Sequence, residues 1–122
     1  MQLVEQTDEG LHLVHSVGAG TVQVGDRTFS NSLLLMPERY VEAFPVRMLA
    51  DFTAEVITAV LALQPALVLI GTGSRQLLPS PALMAGFLRH GVGLETMDSH
   101  AAARTYNLLA SEGRRVTVVF LL

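Results

Sequence analysis

Residues 66–70, Ala-Leu-Val-Leu-Ile, run directly into Gly71-Thr72-Gly73, and this step limits what the rest of the chain can become. The apolar run is short enough for a strand and stops at glycine, which permits a sharp change of direction. The pattern then repeats. Ser80-Pro81 reads as a helix cap followed by proline at the first helical position. Leu83, Met84, Phe87 and Leu88 supply that helix's apolar face, and Gly91 closes it. Val92 to Met97 is the next strand. Asp98 or Ser99 caps another helix, which Gly113 ends, and Arg115 to Leu122 is a final strand apolar enough to lie inside a sheet.

Upstream, Leu11 and Leu13 flank His12, and Thr21-Val22-Gln23-Val24 alternates, so the segment from Leu11 to Met36 reads as β. Gly25-Asp26 is a hairpin signal. Ser32 to Met36 is apolar on consecutive positions, as in a strand covered on both faces, and Pro37 ends it. Glu38 to Leu49 has no period and reads as a packed connection. Asp51 or Thr53 then caps a helix whose stripe is Phe52, Val56, Ile57, Val60, Leu61 and Leu63, stopped by Pro65. Strands starting near Ser32, Ala66, Val92 and Arg115 are separated by one helix each. Crossovers of that length join parallel strands, so the last three are expected to be mutually parallel. The expected fold is α/β: a three-layer single domain over residues 11–122, with a central mixed, largely parallel sheet flanked by helices and an N-terminal β-hairpin region. Residues 1–10 are expected to form a flexible arm.

Composition narrows the chemistry. The chain has 122 residues, half of them apolar, and a net charge of −3. It has no cysteine, which excludes disulfides, thiolate nucleophiles and thiolate metal sites. All eight cationic side chains are arginine, so no lysine can form a Schiff base. The arginines are scattered rather than clustered, which argues against nucleic acid as a partner. The acidic start, Met1 to Gly10, resembles neither a secretory signal nor a transit peptide. No apolar run approaches the roughly 18 residues of a membrane span. A cytoplasmic location without membrane insertion is therefore expected.

Several stretches together resemble one family of small α/β domains, which includes the third assembly factor of mitochondrial respiratory complex I and the adipogenesis-associated domain protein of animals. They are Ser32-Leu33-Leu34-Leu35-Met36-Pro37, Ile70-Gly71-Thr72-Gly73, Gly91 to Met97, Ala101, Thr105-Tyr106-Asn107 and Glu112-Gly113-Arg114. The resemblance covers most of the chain beyond Thr21. It implies a three-layer fold with added N-terminal strands, and no established reaction or cofactor. Its eukaryotic branch implies a scaffolding or assembly role; a bacterial cytosolic member matches this N-terminus better.

The glycine pair reads as a tight turn, whose glycines permit positive φ, rather than as a dinucleotide loop. Gln76 stands where a third glycine belongs, and Leu77-Leu78-Pro79 intervenes before any helix. His12 and His15, three apart on a strand, point to opposite faces, and no histidine has the spacing of a metal pair, so no metal or cofactor is expected. His100, Arg104, Asn107 and Ser111 form one stripe of the last helix. Ala101, Ala102, Thr105, Leu108 and Leu109 form the expected sheet-facing side, and Tyr106 can bury its ring if its hydroxyl finds a partner. The start of that helix and the loop from Gly71 should reach the C-terminal edge of the parallel strands, where α/β proteins place ligands. Gly71, Thr72, Gly73, Ser74, Arg75, Glu95, Asp98, Ser99, His100, Arg104 and Asn107 are thus the candidates for binding a ligand or partner. The competing reading is a solvated helix face with Arg104 paired to Asp98 or Glu95. No nucleophile with an oriented base is evident, and no catalytic residue is assigned. The expected function is a non-enzymatic module that binds another protein or itself. The alternative is a small-molecule or anion-binding protein, or a weak enzyme, using a cleft at that edge.

Overall fold

A computed structural model describes residues 6–7 and 10–122 of the protein. The chain forms strands β1 (Gln6–Thr7), β2 (Val14–Gly18), β3 (Thr21–Val24), β4 (Arg27–Phe29), β5 (Leu33–Leu35) and β6 (Arg39–Val41), then helix α1 (Ala54–Leu61). It continues with β7 (Leu67–Gly71), α2 (Pro81–Leu88), β8 (Gly93–Met97), α3 (Ser99–Ser111) and β9 (Val116–Phe120). Each helix starts where a side chain can satisfy a free backbone amide. Val56 N donates to Thr53 Oγ1, Leu83 N to Ser80 Oγ and Ala101 N to Asp98 Oδ1. Asp51 instead accepts from the amides of Arg47 and Met48.

Six strands make a mixed sheet in the order β1-β6-β5-β9-β7-β8, and β2-β3-β4 make a separate antiparallel sheet. The Gly25-Asp26 turn joins β3 to β4 as expected, with Gly25 at φ +60°. β7 pairs in parallel with both β8 and β9, which confirms the mutually parallel trio and the interior place of β9. The strand at Leu33–Leu35 departs from the crossover argument, because β5 runs antiparallel to β9. The reason is a strand hidden in the supposed connection: Arg39-Tyr40-Val41 turns back along β5, and α1 then leaves from β6. β6 has the direction of the parallel trio, so the helical crossover still joins strands of like direction.

The sheet is covered on both faces. On one, Val56 and Val60 of α1 and Leu83 and Phe87 of α2 pack with Leu34, Val68, Ile70, Leu94 and Val119. On the other, Ala102, Ala103, Tyr106 and Ala110 of α3 pack with Leu33, Leu35, Leu69, Val116, Val118 and Phe120. Val14, Val22, Val24 and Phe29 of the small sheet complete this second core. The protein is thus a small α/β domain with a mixed sheet flanked by helices and an N-terminal antiparallel sheet. Of the expected arm, Gln6 and Thr7 pair with Tyr40 and Arg39, and residues 1–5 and 8–9 lie outside the described residues.

Helix α3 is rotated from the orientation expected. Ala103 and Tyr106 are buried, whereas Leu108 is 60% exposed. Small residues let the helix sit close against a sheet while the hairpin sheet closes over its flank. That sheet is held by side chains. Asn107 Oδ1 accepts from Val14 N at 2.8 Å, and its Nδ2 donates to Val14 O at 2.8 Å. The Tyr106 hydroxyl donates to the His12 carbonyl at 2.7 Å. Arg27 of β4 donates to the Tyr40 hydroxyl and to Glu42, with its guanidinium 4.8 Å from the Phe29 ring centre.

Candidate functional site

The strands β7 and β8 end side by side, and their chains leave toward opposite faces of the sheet, one to α2 and one to α3. Such a divergence opens the crevice in which α/β proteins seat ligands. Here the chain fills it with its own hydrogen bonds. Thr72 N donates to Met97 O at 2.8 Å, and Ser99 N donates to Gly73 O at 2.8 Å. Gly73 N in turn donates to Ser99 Oγ at 2.9 Å, so the loop and the helix start lock reciprocally. Thr72 Oγ1 donates to Arg75 O at 2.7 Å and accepts from Leu77 N. Gln76 Nε2 donates to Thr96 O, on the outer side of β8.

Two glycines make this latch possible. Gly73 sits at φ +89°, a conformation that side chains disfavour. A Cβ at Gly71 would lie 2.9 Å from the Phe120 ring and 3.1 Å from Ser99 Oγ. Gly71, Thr72, Gly73, Asp98 and Ser99 are therefore brought together as a structural joint. Asp98 caps α3, and Ser99, 3% exposed, pins the loop. Ser99 N, held by Gly73 O, and Ala101 N, held by the Asp98 carboxylate, already have partners, which leaves less of the helix start to an anion.

Beside the joint lies an open groove of about 580 Å³, lined mainly by apolar atoms. Gly73, Ser74, Ser99 and His100 form one side. Val17, Gly18, Ala19 and Gly20, at the tip of the β2–β3 hairpin, form another, and Leu121 and Leu122 contribute the remainder. Four of the sequence candidates meet there. The hairpin tip and the two leucines were not foreseen. Gly18-Ala19-Gly20 marks a tight turn in the sequence, but nothing local to it indicates that it folds against a helix some eighty residues later.

The other candidates lie apart from this groove. Arg75 is exposed in the loop, and Glu95 is exposed on the edge strand β8. Asn107 holds β2. Arg104 is exposed one turn beyond His100 and forms no ion pair with Glu95 or Asp98 among the described residues. Arg104→Ala should therefore change the unfolding free energy by less than about 0.5 kcal/mol, as read from urea melts. A larger loss would mark it as a structural anchor.

A family model described as a protein of unknown function (DUF498/DUF598) matches residues 14–121. The crystal structure of a Bordetella parapertussis protein is 42% identical, covering 92% of this chain and 96% of that one, with a TM-score of 0.83. The solution structure of a Bordetella pertussis protein, described as a Mth938-like domain, is 34% identical, covering 99% of this chain and 92% of that one, with a TM-score of 0.77. A Francisella tularensis protein called the 13 kDa major membrane protein is 39% identical over 62 residues. That match covers 51% of this chain and 50% of the relative, so it spans only about half the relative's length. No helix among the described residues is long and apolar enough to cross a membrane.

Proposed function

This chain belongs to the DUF498/DUF598 family of proteins of unknown function, and we propose that within it the chain serves as a non-enzymatic, assembly-type module of the bacterial cytosol. In this reading the groove receives an apolar segment of a partner protein or of a second copy. The observation that carries the reading is the groove itself: apolar in its lining, open to solvent, and walled by a hairpin tip, a loop and a helix start. The latch supports an apolar occupant over an anion, because Gly73 and Ser99 satisfy each other rather than facing outward. The resemblance to an assembly factor of respiratory complex I points in the same direction. The membrane description of the Francisella relative raises the question of peripheral attachment, which fractionation of the native host answers: a cytosolic module stays in the soluble fraction.

Ala19→Trp tests the reading. Ala19 is exposed at the hairpin tip, so stability should stay within about 0.5 kcal/mol while the indole occupies the groove. Co-purification from the native host, with sedimentation to follow self-association, should show a partner or dimer present with the wild type and lost with the variant. Arg104→Ala, which leaves the groove intact, should retain it. An identical set of partners and an identical mass for Ala19→Trp and wild type would refute the assignment.

A further inference from the structure

At the opposite end of the sheet, where β7 and β9 begin, lies a pocket of about 270 Å³. That is close to the lower bound of ordinary small-molecule sites, about 300 Å³. Leu11, Met36, Leu63 and Val116 give it apolar walls. Two further features of that wall bear on a ligand. The first is Thr117. It is 1% exposed, and its Oγ1 is buried without a hydrogen-bond partner. Val116 and Val118 face α3, so Thr117 faces α1, the side of Met36 and Leu63. Buried hydroxyls in native proteins are almost always paired, and an orphan calls for an explanation. The second is charge. Arg114 and Arg115 flank the pocket, are exposed, and have no ion-pair partner among the described residues. Among the described residues Glu38 is the sole acidic side chain in the lining, within a chain of net charge −3. Cations after a helix C-terminus are ordinary, but a helix end has no need of a buried hydroxyl.

We propose that this pocket binds a small carboxylic acid with an apolar body and a second, uncharged oxygen, that is, a hydroxy- or oxo-acid. The guanidinium of Arg114 or Arg115 holds the carboxylate at the rim. The apolar body lies against Met36 and Leu63, and the second oxygen pairs with Thr117 Oγ1 as the wall relaxes around it. The site is separate from the groove and shares no lining residue with it among the described residues.

Amide chemical shifts of the full chain, titrated with 4-hydroxyphenylacetate and 4-oxopentanoate, test the assignment. At least one acid should saturate at millimolar concentration and move the amides of Gln64, Arg114 and Thr117. Phenylacetate, which lacks the second oxygen, should bind about fivefold more weakly than 4-hydroxyphenylacetate if that acid binds, the equivalent of one hydrogen bond of about 1 kcal/mol. The corresponding alcohol, without charge, should bind more weakly still. Thr117→Val should fold with unchanged or raised melting temperature and abolish the difference between the two phenyl acids. Arg114→Gln/Arg115→Gln should abolish the preference for acid over alcohol. Failure of both acids to saturate, shifts confined to another face, or a Thr117→Val variant that discriminates like the wild type would each overturn the proposal.

Discussion

Tyr106→Ala should lower the unfolding free energy by about 3–5 kcal/mol, read as a shift of the urea midpoint, the largest loss expected of the substitutions considered. The side chain is fully buried between α3 and the large sheet, and its hydroxyl donates to the His12 carbonyl. Truncating a buried aromatic costs about 3–5 kcal/mol, against a total stability of about 5–15 kcal/mol for a typical domain. Tyr106→Phe keeps the ring and leaves one carbonyl without its donor, a loss of about 1–3 kcal/mol. The phenol also gives the protein an alkaline limit. Burial, with a smaller contribution from Glu38, holds its ionisation far above the usual tyrosine range. A pKa raised in the folded state leaves stability intact below the unfolded value of about 10 and erodes it above, because only the unfolded chain ionises there. The chain has two tyrosines and no lysine or cysteine, so few other groups titrate between pH 9 and 12, a window set by ordinary side-chain values of about 8.5 to 10.4. Denaturant melts across that range should show falling stability for the wild type and a much flatter profile for Tyr106→Phe. Parallel profiles would show that the phenol is not the cause.

Asn107→Asp should be nearly as damaging at neutral pH. The asparagine acts as a short piece of β-ladder, accepting from Val14 N and donating to Val14 O. Aspartate keeps the acceptor but sets a second oxygen against the Val14 carbonyl. An unsatisfied buried acceptor costs about 1–3 kcal/mol, and more while the opposing group is charged. Repulsion raises the folded-state pKa of the new carboxyl above its unfolded value of about 3.9. The penalty is therefore full above the folded pKa and shrinks as pH falls through it, when the protonated acid can donate to Val14 O. Asn107→Ala, with nothing to titrate there, should lose a similar amount at every pH. Melts of both variants at neutral and mildly acidic pH check this; equal pH profiles would count against the ladder role.

These two residues also mark where reading the chain in one dimension succeeded and failed. The caps at Ser80 and Asp98 and the strands from Leu67 and Gly93 depend on neighbours within a few residues, and those are visible in order along the chain. The burial of Tyr106 followed from its size and its need for a hydroxyl partner. The exposed face of α3 did not follow, because Leu108 and Leu109 outweigh alanines in any count of apolar periodicity. Close packing between two sheets selects for smallness instead, and α3 buries Ala102, Ala103 and Ala110. β6 was hidden because a three-residue strand has no measurable period, and missing it reversed the expected direction of β5. At the candidate site, the meeting of Gly73 with Ser99 was legible from strand order. The hairpin wall of the groove was not, since Asn107 and Val14 are 93 positions apart and neither looks unusual alone.

The two sheets share no strand pairing among the described residues, and this shapes how the domain responds to change. What joins them is the backbone bond from His12 N to Pro37 O and a handful of side chains: Asn107 and Tyr106 from the helix, Arg27 from the hairpin, and the apolar contacts beneath. Dependence is therefore unequal. Damage to α2 or β8 bears directly on the large sheet, whereas damage to the buried face of α3 bears on both sheets. The β2–β3 tip borders the groove, so the dimensions of that groove are governed in part by Asn107 and Tyr106, which do not line it and which no binding partner need touch. Inheritance of function in this fold would then be recorded as much in the asparagine that seats the hairpin as in the residues facing the occupant.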